Sequence, residues 1–286
     1  MDKYGDIIGV SDIHAALVLK DDTTGYVAAA ELDFLAPTAE VTQEVNVNVS
    51  SRFYSNILRY TSSTEGETTV GMTVSGVPLE MAAKYLGKGY DRVTGRMVDT
   101  GKANAPWAAI TFAADVEGDR LGGNGGARKY YAYLKGRFSP FSEEAATQTE
   151  DKDIRTTSLE FTAATTIYDK FVVPQPDGSN LIGPVKRLVG DNRASATETD
   201  TLWFGAIQTP VDATGAADAE FKAGLGNMLA IAGGLTDTDF TTESWARVES
   251  AENTAANVLA DTNATKAQVV EAENALRVAI NGLVAA

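Results

Sequence analysis

The chain has 286 residues, 44% of them hydrophobic and 22% charged, with 39 acidic against 24 basic side chains, a formal charge of −15 and no cysteine. The composition is ordinary for a globular protein, and the length allows more than one core, since single domains cluster at about 100–200 residues. Without cysteine, disulfides, thiolate chemistry and cysteine-based zinc sites are excluded; a surface this acidic should repel nucleic acid, and no apolar run approaches the ~20 residues needed to span a bilayer.

Residues 1–12 read as a polar, glycine-punctuated arm. The stretch MDKYGDIIGVSD lacks the basic region and apolar core of a secretory signal, so none is expected there. Residues 14–19 are a strand candidate, Asp21-Asp22-Thr23-Thr24-Gly25 a turn, and residues 26–35 resume as strand. From 36 to 68 the chain turns rich in Thr, Ser, Asn and Glu and leaves the regular pattern. A loop of that length is uncommon in a compact domain unless it is functional or disordered. Val41, Val45, Val47 and Val49 suggest a narrow extended piece inside it, and Phe53, Tyr54, Ile57 and Leu58 form an apolar cluster in the polar frame.

Residues 69–75 alternate Val70, Met72 and Val74 as a strand does. PLEMAAKYLG (78–87) predicts a short helix with proline in the first turn and Gly87 past its end, its apolar face made by Leu79, Ala82, Ala83 and Leu86. Residues 107–165 are read as a hairpin, an acidic connection and a third strand carrying Leu159, Phe161 and Ala163. The glycines of GGNGG around Asn124-Gly125 suit a hairpin tip, where φ > 0 is needed. Residues 167–173 and 181–189 are expected to extend the sheet around a turn at 175–178, residues 201–207 to form a last strand, and 211–219 a linker.

After the linker the apolar period becomes helical. Phe221, Leu225, Met228, Leu229 and Ala232 define one helix ending at Gly233-Gly234. Trp245, Val248, Ala255, Val258 and Leu259 define a second, capped by Thr242, and Val269, Ala272, Leu276, Ala279 and Leu283 a third, opened by a Thr265/Gln268 capping box. All eight prolines precede residue 211. The expected domains are therefore 1–212, mainly β, and 213–286, a three-helix bundle.

The candidate chemistry is thin. GDRLGGNGGARK lacks the phosphate-loop spacing and precedes an aromatic strand, not a helix. His14 is the single histidine, on a strand, with no Gly-x-Ser-x-Gly nucleophile motif in the chain. One histidine and no cysteine cannot build a histidine–cysteine zinc site. Acidic pairs (Glu143-Glu144, Glu150-Asp151-x-Asp153, Asp237-x-Asp239) could serve a glycosidase or calcium, but none carries the calcium-loop pattern, and they read as solvated loops. Trp245 reads as bundle core. No catalytic, cofactor or metal site is expected.

Four segments, FYSNILRYTSSTEGETTV, GVPLEMAAKYLGKGYD, YLKGRFSP and TTSLEFTAAT, occur in that order over residues 1–210 and resemble the major tail proteins of long non-contractile-tailed phages. The resemblance implies a tail-tube-type β-sandwich or barrel with one short flanking helix. It further implies hexameric rings stacked into a tube, tape-measure, tail-terminator and tail-tip proteins as partners, DNA passing through without specific binding, no membrane, and a place in the virion after synthesis in the host cytoplasm. Residues 216–286, with FTTESWARVESAENTAANVLADTNATKAQVVEAENALRVAINGL, are similar to FIVAR-type modules of cell-surface proteins. Three functions stay open at this level: a structural tube subunit, with Phe53, Tyr54, Ile57 and Leu58 docking on the neighbouring ring; a carrier whose helical module binds a cell-surface glycan or protein; and a glycan hydrolase using an acidic pair.

Overall fold

A computed structural model of the protein describes residues 5–11, 13–54, 57–101, 104–121, 126–143, 156–175, 179–217 and 219–285, with backbone alone at 53–54, 57–59, 143 and 220. In chain order the strands are β1 (Ile7–Val10), β2 (Ile13–Asp22), β3 (Gly25–Ala28), β4 (Asp33–Ala36), β5 (Thr38–Tyr54), β6 (Ile57–Val74), β7 (Gly89–Asp91), β8 (Arg96–Val98), β9 (Ala108–Asp119), β10 (Gly126–Phe138), β11 (Ser142–Glu143), β12 (Thr157–Ala163), β13 (Phe171–Pro174), β14 (Asn180–Gly183) and β15 (Arg187–Asp191). The α-helices are α1 (Leu79–Leu86), α2 (Asp200–Gly205), α3 (Ala219–Ala232), α4 (Thr242–Ala260) and α5 (Lys266–Asn281). The chain is mainly β with a C-terminal helical region, and it divides into two compact units, Met1–Ile167 with Val185–Thr209, and Tyr168–Pro184 with Pro210–Ala286.

In the first unit an 11-stranded sheet among the described residues follows the path β3-β2-β9-β10-β12-β6-β5. Side chains from both ends of that path meet in one core: Ile13 and Leu35 beside Val70, Met72, Ile110, Phe112, Leu159 and Phe161. The sheet is therefore folded over on itself. The predicted hairpin and third strand become β9, β10 and β12 at its centre. The tip GGNGG (122–126) lies outside the described residues except for Gly126, which pairs with Asp119. Gly136 of β10 has no room for a side chain, because a Cβ there would sit 2.4 Å from Phe161 Cζ. A second apolar cluster on the other side joins Ala113, Tyr130 and Ala132 to Trp203, so β9 and β10 are covered on both faces.

Among the described residues one ion pair is buried in this sheet. Lys135 Nζ donates to Asp21 Oδ2 at 2.5 Å, both side chains about 5% exposed. The same ammonium lies 4.6 Å from the Trp107 ring, and Arg137 covers the ring at 4.1 Å. Removing either partner would strand a charge away from water.

The helix α1 follows its local signals: Pro78 is its N-cap, and Gly87 ends it at φ +66°. A Cβ at Gly87 would also stand 2.3 Å from the Asn104 carbonyl oxygen. The buried face differs from the expectation. Tyr85 is fully buried, its hydroxyl donating to Asp33 at 2.5 Å, while Leu79 is 47% exposed. Burial comes first, and the bond to Asp33 adds to it, in raising the Tyr85 hydroxyl far above its ordinary pKa.

Three expectations from sequence are corrected. Residues 36–68 are no irregular loop: they form most of the antiparallel pair β5–β6, held from Thr38↔Val74 to Tyr54↔Ile57. Thr and Val are strand formers, and a polar run that carries them pairs once it meets a cross-strand partner, which lies here on the other side of the tip. Residues 201–207 are not a strand: 201–205 belong to the helix α2, whose Thr199 cap hydroxyl accepts from the Leu202 N–H, and Ala206 and Ile207 follow it outside regular structure; the cap outweighs the short apolar run. The β unit thus carries two helices where one was expected. Residues 171–183 do not extend the main sheet; β13 and β14 pair only with each other as strands, and β15 alone joins β10.

In the second unit α3, α4 and α5 pack around Leu225, Val248, Ala255, Val269, Ala272 and Leu276. The capping box at Thr265 and Gln268 is formed in both directions. The cap of α4 is Thr241 rather than Thr242, and Trp245 is half-buried at the margin of the core, stacked on Phe240 at 6.2 Å.

Candidate functional site

The most distinctive surface of the first unit is the far part of β5–β6. The neighbour β12 supports β6 only from Val74 to Thr68. Beyond Thr68, β6 pairs with β5 alone, through Val47↔Glu65, Val49↔Ser63 and Arg52↔Tyr60 to the tip. The residues of β5 past Val45 (46–54), at ~3.3 Å each, make a two-stranded arm of roughly 30 Å. Val47 is 52%, Val49 65% and Tyr60 53% exposed. The root is braced: the Tyr133 hydroxyl donates to Gln43 Oε1 at 2.6 Å, and Lys186 Nζ donates to the Gly66 carbonyl at 3.0 Å. The four sequence candidates sit at the tip, where the backbone pairs Phe53 with Leu58 and Tyr54 with Ile57. Their side chains lie outside the described part.

A second surface is the outward face of β5, β6 and β12. Alternation and register put three rows across it: Glu40, Thr73 and Ser158; Thr42, Gly71 and Glu160; Glu44, Thr69 and Thr162. In the middle row the Thr42 hydroxyl folds over Gly71, donating to its carbonyl at 3.3 Å, where a Cβ would meet it at 2.6 Å. An open cleft of about 420 Å³ lies over this face, rimmed by Glu40, Glu44 and Glu160. None of these carboxylates has an ion-pair partner among the described residues. Arg137, across from Thr162, is engaged with Trp107 and with Asn104 Oδ1 at 3.2 Å. Sequence reasoning missed this face because its members come from three separate stretches.

A third surface is the tip of the hairpin β7–β8. Asp91 Oδ1 accepts from the Val93 N–H at 2.9 Å, the Thr94 hydroxyl donates to Asp91 Oδ2 at 2.5 Å, and Gly95 turns the chain at φ +66°. The Thr94 hydroxyl, and then the Val93 N–H, hold the Asp91 carboxyl below its ordinary pKa. The locked turn presents Val93 at 95% exposure between Arg92 and Arg96. Arg92 reaches Glu80 at 2.6 Å across an exposed surface, and Arg96 has no ion-pair partner among the described residues.

In the second unit an open cleft of about 1150 Å³ lies between the β13–β14 hairpin and the helices α4 and α5. Val172, Ile182 and Val278 give it apolar walls, and Glu243, Arg247 and Glu271 charge its rim. Asn274 Nδ2 donates to Asn180 Oδ1 at 3.2 Å.

The remaining candidates are dispersed. His14 packs between Phe34 and Phe204, at ring distances of 5.4 and 4.8 Å. Asp237 and Asp239 sit in an exposed single turn of 3₁₀ helix. Glu144, Glu150, Asp151 and Asp153 lie outside the described residues, as does the side chain of Glu143. Among the described residues no group of three or more His, Asp or Glu is placed to hold a metal ion, and no helix is long and apolar enough to cross a membrane.

The class that the fold defines is a mainly β protein with a C-terminal three-helix bundle. No family model matches the chain. One curated relative, lacto-N-biosidase of Bifidobacterium longum subsp. longum, is 39% identical over 94 residues, 33% of this chain and 6% of that enzyme. The chain thus spans a small fraction of that protein's length. Among solved structures, the sheath-tube complex of an extracellular contractile injection system aligns over 55% of this chain and 87% of its own at 8% identity and TM-score 0.30. The tube-terminating cap of the anti-feeding prophage aligns over 57% and 89% at 7% identity and TM-score 0.31. A type six secretion system protein aligns over 62% and 93% at 11% identity and TM-score 0.26. Likenesses at these identities and scores carry no argument about function.

Proposed function

We propose that the protein is a structural subunit of a phage tail tube, polymerising into stacked rings, hexameric in the family it resembles, around a conduit for DNA. The observation that supports this best is the β5–β6 arm. A two-stranded ribbon is marginal on its own in water, and this one carries exposed Val47, Val49 and Tyr60 past its last supporting strand. A neighbouring copy that covered it would bury the valines and fix the tip, where Phe53, Tyr54, Ile57 and Leu58 serve as anchors. The subunit performs no catalysis on this reading, and its charge of −15 keeps passing DNA from adhering. Tape-measure, tail-terminator and tail-tip proteins are its other partners, and the virion tail is its location. Electron microscopy of the purified full-length protein tests this directly. Rings or tubes with a central channel are expected; a protein that stays monomeric at high concentration overturns it.

A second reading has one observation in its favour, the open cleft of the second unit. There the helical module binds a cell-surface glycan or protein and the β unit carries it. A glycan and cell-surface binding screen with the full-length protein separates the two readings, since the tube reading requires no such ligand.

A further inference from the structure

Charge is unevenly distributed over the first unit. The chain carries −15, yet the segment from Leu79 to Val98 holds four basic residues, Lys84, Lys88, Arg92 and Arg96, against two acidic ones, Glu80 and Asp91. Lys84 and Lys88 are neutralised locally by Asp33 and Asp99. Arg92 and Arg96 are carried out to the tip of β7–β8, beside a valine that is almost wholly in water. Elsewhere on the same unit, the face of β5, β6 and β12 collects Glu40, Glu44 and Glu160 around an open cleft. One feature projects and is basic; the other is recessed and acidic. Arg92 is paired with Glu80 across an exposed surface, whereas Arg96, Glu40, Glu44 and Glu160 have no ion-pair partner among the described residues.

We propose that the protein binds a second copy of itself head to tail, the β7–β8 tip of one copy (Arg92, Val93, Arg96) seating in the acidic cleft (Glu40, Glu44, Glu160) of the next. The two patches are different surfaces of one chain, so the contact is heterologous and repeats from copy to copy, closing into a ring or running on as a filament. Two guanidinium groups meet three carboxylates. The Val93 methyls lie against the methyls of Thr42, Thr69 and Thr73 on that face. The turn at Asp91–Gly95 is held by its own hydrogen bonds, so little conformational freedom is lost when the tip docks. The contact goes beyond the arm described above. It rests on self-association, but not on the associated form being a tube.

Reciprocal charge reversal tests it, with sedimentation velocity of the full chain as the readout. Arg92→Glu with Arg96→Glu should weaken self-association about tenfold or more, because like charges then face each other. Glu40→Arg with Glu44→Arg should do the same. An equimolar mixture of the two double variants should associate nearly as the wild type does, since each tip then finds an oppositely charged cleft. Val93→Asp, at a tip residue that supports no core, should match the loss from the arginine pair. All three variants should keep wild-type circular dichroism and melting temperature, the changed residues being exposed. Double variants that associate like wild type overturn the proposed contact while leaving the tube reading intact. So does a mixture that stays dissociated. A wild-type chain that is monomeric at about 100 µM, far above the micromolar affinity ordinary for a specific interface, overturns both.

Discussion

The paired strands β9–β10 and β5–β6 are both long antiparallel hairpins, yet they are stabilised by opposite means. The first is covered on both faces, with Ile110, Phe112, Tyr133 and Leu134 almost wholly excluded from solvent and Tyr130 and Ala132 sealed by the second cluster. The second shares that cover only near its root; past Thr68 it is held by cross-strand pairing and by Lys186, which reaches the Gly66 carbonyl and Glu65. Burial contributes of the order of 25 cal/mol per Å² of apolar surface, whereas a cross-strand pair contributes about 0.2–1 kcal/mol. The comparison separates residues that make the fold from residues that the fold holds out for another molecule. Substitutions in the buried hairpin and its neighbours should be read in stability, and substitutions in the arm in assembly.

The largest stability effect is expected at Phe161, which fills the space that Gly136 leaves open. Phe161→Ala should cost about 3–5 kcal/mol in denaturant unfolding; a loss under about 1 kcal/mol would mean that the two sides of the folded sheet do not share one core. Lys135→Met follows, also at about 3–5 kcal/mol, because Asp21 keeps a buried charge without its counterion. The double variant Lys135→Met with Asp21→Leu should recover part of that loss. If it is no better than the single change, the ion pair does not set the cost at this position.

A smaller effect with a pH signature is expected at the sheet margin. The hydrogen bond from Arg193, reinforced by the Arg193 N–H and charge, holds the Asp191 carboxyl below its ordinary value of 3.8, with partial burial opposing it. A folded-state pKa below the unfolded one adds stability that is present above the unfolded pKa and is lost as pH falls through the folded one. Wild type should therefore be more stable than Asp191→Asn at neutral pH. The gap should close as pH drops below about 4. Thermal melts across pH 2–7 measure it, and a gap that is constant with pH would remove the ion pair as its cause.

The smallest stability change is expected at the arm. Phe53→Ser with Ile57→Ser should alter unfolding by no more than about 0.5 kcal/mol, the range of surface positions, and should abolish assembly seen by electron microscopy. A loss of several kcal/mol in the isolated subunit would instead place these side chains in a core, and the division between the two hairpins would fail.

Local chemistry made several elements legible from sequence. The helix α1 was bounded by Pro78 and Gly87, and α5 was opened by Thr265 and Gln268, because a helix end is decided by residues within one turn of it. The three C-terminal helices followed from apolar spacing, which samples neighbours three and four positions away. The strands β9, β10 and β12 were visible for a similar reason, their apolar residues marking strand after strand. Tertiary structure decided the rest. The polar run 36–68 became β5–β6 only by pairing Val47 with Glu65 and Arg52 with Tyr60 across a tip. The apolar run at Leu202, Trp203 and Phe204 became helical because Thr199 caps it and Trp203 stacks on Tyr130, 73 positions earlier, at 5.5 Å. The acidic face unites Glu40, Glu44 and Glu160 only because β12 lies beside β6. A strand has no partner within its own few residues, so its hydrogen bonds, its faces and the charges gathered on them are set by whichever distant segment the folded chain brings alongside.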